Sequence, residues 1–319
     1  MKKALRYLLI LLGVILIAVG GFAAFVALRG VPSYKAEKIE LKVEASTARI
    51  DKGQKLAAML CSGCHMDPNT NKLTGRHMAD VPQFGAVYAK NITQHPEQGI
   101  GKWTDGELAY LLRTGLKPDG TYLPIMAKLA HASDEDIYSI IAFLRSNHQW
   151  VAPDNTRQPE SKYSFLAKTL TNLGLFKPSD YPKHVIPGPD TTNAVSWGRY
   201  IAVNQLECFS CHSADFTKNN YEEPEKSVGF FGGGNKFDLP GGKVMYSRNL
   251  TMDEETGLGS WTEAQFVTAL KHGQLPNGQP ALRQPMAPYS SLTDSEAKAI
   301  FAYLKTVPKI KNKVERILD

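Results

Sequence analysis

The chain says nearly the same thing twice. Lys90-Asn91-Ile92-Thr93, followed by Gly99-Ile100-Gly101-Lys102-Trp103-Thr104, returns 158 positions on as Arg248-Asn249-Leu250-Thr251, followed by Gly257-Leu258-Gly259-Ser260-Trp261-Thr262. Two copies of one unit fit within 319 residues, since a domain usually takes about 100 to 200. Leu108, Leu111, Leu112 and Gly115 answer to Phe266, Ala269, Leu270 and Gly273, an i, i+3, i+4 apolar stripe ended by glycine. Thr104 with Glu107, and Thr262 with Gln265, have the capping-box spacing that would start such a helix. Further on the offset becomes 160, and Ile137, Ile140, Ile141 and Leu144 correspond to Ala297, Ile300, Phe301 and Leu304 after the helix starts Ser133-Asp134 and Thr293-Asp294. The pattern predicts an all-α fold.

The four cysteines fall in two identical groups, Cys61-Ser62-Gly63-Cys64-His65 and Cys208-Phe209-Ser210-Cys211-His212. Both are C-x-x-C-H, the attachment signature of c-type haem. Two thiols about one helical turn apart can form thioethers with the two vinyl groups of one porphyrin, and the adjacent histidine then lies beneath the iron as its proximal ligand. Two disulfides would leave the repeated histidine without a reason. A zinc site built from both pairs is disfavoured because zinc ribbons space their pairs by about 15 to 20 residues. A thioredoxin-like C-x-x-C explains one pair and not two. The sequence therefore implies two haem c groups, attached through Cys61 and Cys64 and through Cys208 and Cys211, with His65 and His212 as proximal axial ligands.

Each closing helix is preceded, in the same register, by a methionine: Met126 in the first copy and Met286 in the second. A methionine there is either a flexible core filler or the distal ligand of the iron, whose thioether suits ferrous iron and raises the reduction potential. The matched register, with Pro124 and Pro285 to stiffen a loop arching over the haem, points to ligation. His131 lies close enough to Met126 to compete. Met59, Met66, Met78, Met245 and Met252 have no such register and are read as packing.

Before the first motif, Tyr7 to Leu28 is a run of 22 residues without a charge, which as a helix spans roughly 33 Å, enough to cross a bilayer core. It is longer than a signal-peptide core and is followed by no clear cleavage site, so it is expected to stay as an anchor. Lys2, Lys3 and Arg6 precede it and keep that end in the cytoplasm, which places the rest in the periplasm. These three with Arg29 supply four of the formal +6 charges. The remainder carries too little positive charge for a nucleic-acid partner. Gly232-Gly233-Gly234 lacks the following G-K-[ST] of a phosphate loop and is read as a flexible loop. The expected organisation is a membrane anchor (1–30), a linker (31–48), a first haem domain (49–150), a proline-rich connector (151–192) with an amphipathic helix within Tyr163 to Phe176 lying across the domain interface, a second haem domain (193–308) and a tail (309–319).

Through C-x-x-C-H, N-[IL]-T, G-[IL]-G-x-W-[ST] and the methionine before a final helix, the chain resembles the multihaem cytochrome c subunits of membrane-bound bacterial alcohol and gluconate dehydrogenases. Those subunits have three haem domains where this chain has two. The resemblance implies tandem cytochrome c domains that transfer electrons, with Trp103 and Trp261 near the haem edge, where each donates to a propionate or else lies buried with its N–H satisfied elsewhere. An electron carrier rather than an enzyme is expected, because a six-coordinate haem leaves no place for substrate. Its donor would be a quinol-oxidising complex or an exported dehydrogenase, and its acceptor an oxidase or a soluble cytochrome. The alternatives are a dihaem peroxidase with one open iron and a fixed electron-wire subunit of a respiratory complex.

Overall fold

In the computed structural model, residues 2–315 are described. The repeated helices are present with the caps that the sequence encodes. α4 (Asp105–Thr114) and α9 (Glu263–His272) begin in reciprocal capping boxes, Thr104 with Glu107 and Thr262 with Gln265, and each ends on a glycine in the left-handed region, Gly115 at φ 77° and Gly273 at φ 73°. α5 (Asp134–Leu144) and α10 (Asp294–Leu304) are capped by the hydroxyls of Ser133 and Thr293. Each such cap contributes about 1 kcal/mol by satisfying a backbone N–H that the helix itself leaves free.

Two apolar cores result. In one, Leu108 and Leu112 of α4 meet Ile137, Ile140, Ile141 and Leu144 of α5, joined by Leu56 and Ala57 of α2 (Thr47–Leu60). In the other, Phe266 and Leu270 of α9 meet Ala297, Ile300, Phe301 and Leu304 of α10, joined by Ile201. Ile201 lies in a π-helical stretch, Tyr200–Gln205, that continues α7 (Ala194–Arg199). α2 crosses α5 and α7 crosses α10, each at a glycine. A Cβ at Gly53 would lie 1.9 Å from the Ser139 carbonyl oxygen, and one at Gly198 1.8 Å from that of Ala299. Only a residue without a side chain lets the helix backbones approach so closely.

The structure departs from an all-α fold in two small antiparallel sheets. β1 (Gly85–Ala86) pairs with β2 (Lys162–Tyr163), and β3 (Lys236–Asp238) with β4 (Val244–Tyr246). Both are too short to show a period-two pattern, and the first pairs a strand beside the first core with a strand of the connector.

That connector lies along the first half. The carbonyls of Asp154 and Thr156 accept from the Asn91 side chain, Gln158 donates to the carbonyls of Thr74 and Gly75, and the Tyr122 hydroxyl donates to the Lys177 carbonyl at 2.9 Å. A helix forms within the expected stretch, α6 (Phe165–Asn172), capped by Ser164. Its inner face joins Met78, Phe84 and Val87. Ile310 and Asn312, beyond α10, are tied down as well. The Ile310 carbonyl accepts from Asn249 at 2.7 Å, and the Asn312 side chain donates to the carbonyls of Gly232 and Gly233, which makes the triple glycine a turn held by protein groups. α1 (Lys2–Arg29) is one long helix whose apolar residues are mostly exposed.

The two halves meet at a buried carboxylate. Asp136, at the start of α5, accepts from the Tyr200 hydroxyl at 2.5 Å and from the Gln205 side chain at 2.8 Å, and pairs with Lys52 at 2.6 Å. The Tyr200 oxygen in turn accepts from the Ser133 backbone N–H at 2.7 Å. Met59 packs against both cores at once.

Candidate functional site

The first motif sits where α2 ends. α3 (Ser62–His65) adds one turn, with the N–H groups of Cys64 and His65 both donating to the Cys61 carbonyl, so the thiols and the imidazole project from a single turn. The second motif is α8 (Cys208–His212), which the chain enters through Glu207 in the left-handed region at φ 47°. Eight positions separate Gly53 from Cys61 and ten separate Gly198 from Cys208. The extra length is accommodated by the π-helical stretch and the Glu207 turn, so the motif leaves its crossing helix differently in the two halves.

Both histidines are held alike. The Nδ1–H of His65 donates to the Lys90 carbonyl at 2.7 Å, and that of His212 to the Arg248 carbonyl at 2.9 Å. A carbonyl can only accept, so Nδ1 carries the proton and Nε2 keeps its lone pair for a metal. Lys90 and Arg248 are matched residues that open the repeated N-[IL]-T segments, and this gives those segments a physical role. The Asn91 side-chain oxygen accepts from the Thr93 N–H while its amide clips the connector. Asn249 does the same with Thr251 and with Ile310. Each asparagine fixes the segment whose preceding carbonyl orients the histidine. Sequence reasoning marked the repeat but did not find the acceptors, because a backbone carbonyl leaves no trace in residue identity.

Met126 and Met286 occupy matched turns, their N–H groups donating to the carbonyls of Leu123 and Arg283. Met126 packs on the same core as Cys61 and Trp103, and Met286 on the same core as Cys208 and Trp261. His131 is engaged elsewhere. Its Nε2 meets the Tyr221 carbonyl and its own carbonyl accepts from Asn204, which places it at the junction of the halves. Met59, Met66, Met78 and Met252 lie in the apolar clusters, and Met245 lies in β4.

Burial pushes the Cys61 and Cys208 thiols up to about 12, so both are neutral. It also lowers both histidines below their ordinary range and leaves the imidazoles uncharged. Among the described residues no three His, Cys, Asp or Glu side chains converge as a metal site, and all four cysteines are free thiols. A pair of thiols on one turn, a neutral imidazole with Nε2 free and a thioether on the same core fit a covalently held haem at each motif.

Residues 198–308 match the family described as cytochrome c, and this cytochrome c domain implies haem c. The chain as a whole is homologous to the cytochrome c subunits of quinone alcohol and gluconate dehydrogenases. It is 30% identical over 84% of its length to the cytochrome c subunit of alcohol dehydrogenase (quinone) from Gluconobacter oxydans, of which it covers 56%. It is 25% identical over 83% of its length to the gluconate 2-dehydrogenase cytochrome c subunit of Pantoea cypripedii, covering 60% of that protein. A dihaem c-type cytochrome of Cereibacter sphaeroides is 27% identical over 78% of the chain, which covers 82% of it. The chain thus spans a little over half the length of the alcohol dehydrogenase subunits it matches.

Proposed function

We propose that this chain is an electron carrier with two haem c groups. One would be bound through Cys61, Cys64, His65 and Met126, the other through Cys208, Cys211, His212 and Met286. The observation that carries the proposal is the duplicated geometry: each histidine is oriented by the same position of the same repeated segment, and each methionine stands in the same turn on the same core as its cysteine. Haem supplies an iron that changes valence by one electron. The protein's own residues would hold it by two covalent links, with a neutral imidazole of fixed tautomer and a thioether as ligands, in apolar surroundings. With a histidine and a methionine both serving as ligands, each site would pass electrons rather than bind substrate, which disfavours the peroxidase alternative. The contact of the His131 Nε2 with the Tyr221 carbonyl favours Met126 over His131 as the ligand.

The long apolar helix α1 supports a single-pass anchor with the haem-bearing part on the periplasmic side. Two of the three named relatives are subunits of dehydrogenases, which favours a dehydrogenase subunit as donor, with an oxidase or soluble cytochrome as acceptor, and keeps open a permanent place in such a complex. A redox titration of the purified protein, followed optically, should show two low-spin haems. Met286→Ala and Met126→Ala should each convert one haem to a high-spin form that binds carbon monoxide and has a lower potential. A parent protein with one haem, or a Met126→Ala variant with unchanged spectrum beside a His131→Ala variant that opens the site, would refute this ligand assignment.

A further inference from the structure

The short helix α6 has two apolar faces, and only one of them is covered. Ala167, Leu170 and Thr171 are buried against the first half. Phe165 and Leu166 on the other side, with Leu173 and Leu175 just beyond the helix, are 52, 44, 56 and 53% exposed. At about 100° per residue, Phe165, Leu166 and Leu173 fall within one arc of about 100°, facing away from Ala167 and Thr171. Single exposed apolar side chains need no explanation, but four large ones within eleven positions form a patch.

The patch lies beside the end of the apolar helix. α1 packs against α6, the Arg29 guanidinium donates to the Asn172 side-chain oxygen at 3.2 Å, and the Asn172 amide donates to the Gly30 carbonyl at 2.8 Å. Val26, in the last turns of an otherwise open helix, is fully buried. Lys162 and Lys168 flank the patch and make no ion pair among the described residues. An apolar strip bordered by cations, at the level where a membrane span emerges, has the make-up of a helix that lies in the headgroup layer.

We propose that α6 and the Leu173–Leu175 turn form a second, interfacial attachment to the bilayer. Phospholipid acyl chains would lie against Phe165, Leu166, Leu173 and Leu175, with lipid phosphates near Lys162 and Lys168. The proposal rests on reading α1 as a span. Attachment at two points sets the height and tilt of the first half instead of leaving it to swing on a single helix. Cys64 packs into the cluster on the inner side of α6. That edge of the first haem site is therefore held about one helix diameter, roughly 10 Å, from lipid.

The test uses the full chain in phosphatidylethanolamine and phosphatidylglycerol vesicles carrying a trace of phospholipid with a photoactivatable diazirine, followed by mass spectrometry of the digest. Adducts are expected on peptides of α1 and on the peptide containing residues 163–177. The double variant Leu166→Glu/Leu173→Glu, altered only at exposed positions, should lose about five-fold of the second signal and keep the first, with its haem spectrum unchanged. Label on α1 and none on 163–177 overturns the interfacial helix while the span stands, as it would if a partner subunit covers this face instead. Equal labelling of 163–177 in parent and double variant overturns the assignment to these side chains. No label on α1 removes the span itself, and with it the basis for the second attachment.

Discussion

Gly53→Ala places a methyl group where the Ser139 carbonyl oxygen lies only 1.9 Å away and the Phe143 Cβ 2.7 Å. An ordinary contact is about 3.5 Å, so α2 and α5 must separate by roughly 1.5 Å or the substituted helix must rotate, and both loosen the packing of Leu56 and Ala57. Overpacking of this kind costs about 1–3 kcal/mol and is placed at the upper end here because the obstacle is backbone. Alanine returns about 0.8–1.0 kcal/mol through its better helix propensity. The net expectation is a loss of about 1–2 kcal/mol, which for a unit of this size lowers the melting temperature by about 5–15 °C. Gly198→Ala, with its methyl 1.8 Å from the Ala299 carbonyl oxygen, should lose as much in the second half. Thermal unfolding followed at the Soret band and by far-UV circular dichroism reads both. A melting temperature equal to or above that of the parent in either variant would show that the helices do not meet at these glycines.

Tyr200→Phe keeps the ring but strips one donor from buried Asp136 and leaves the Ser133 N–H without its acceptor. A loss of about 2–4 kcal/mol in urea unfolding is expected, and a change under about 0.5 kcal/mol would discount the junction. The Asp154 carboxyl is held at about 2 by the Thr156 hydroxyl and Lys72. A folded-state value below the unfolded one stabilises at pH above about 4 and loses that contribution as pH falls towards about 2. Asp154→Asn should therefore be less stable than the parent at about pH 7 and converge with it near pH 2. A difference independent of pH would point to packing instead.

Much of the helical frame could be read because its signals are local. Thr104 and Glu107, or Thr262 and Gln265, are three positions apart and determine a helix start without reference to the rest of the chain, and the stripes behind them give the buried face. The haem motifs carry their chemistry in five consecutive residues. The hidden part depends on pairs distant in sequence. Gly53 and Gly198 each open the pattern G-x-x-[IL]-A, yet the need for glycine shows only once another helix lies across it. The prolines of residues 151–192 suggested a connector, but its attachment runs through carbonyls that every residue possesses. The tie from Asp136 to Tyr200 has a counterpart in the repeat, Lys55 with Glu296, but one is a hydroxyl on a carboxylate and the other an ion pair, so the pairing could not be read from the residue types of either copy.

That tie bears on how electrons cross the molecule. A junction built on a buried carboxylate accepts one docking register, because sliding one half against the other would strand the charge of Asp136 away from its donors, and Met59 fills both cores only in that register. Tunnelling falls off exponentially with distance, and across such a junction the distance between the two proposed sites is set by the fold and not by a search. Exchange between them should accordingly be indifferent to solvent viscosity, whereas delivery from a separate redox partner, which has to diffuse and dock, should slow as the medium thickens.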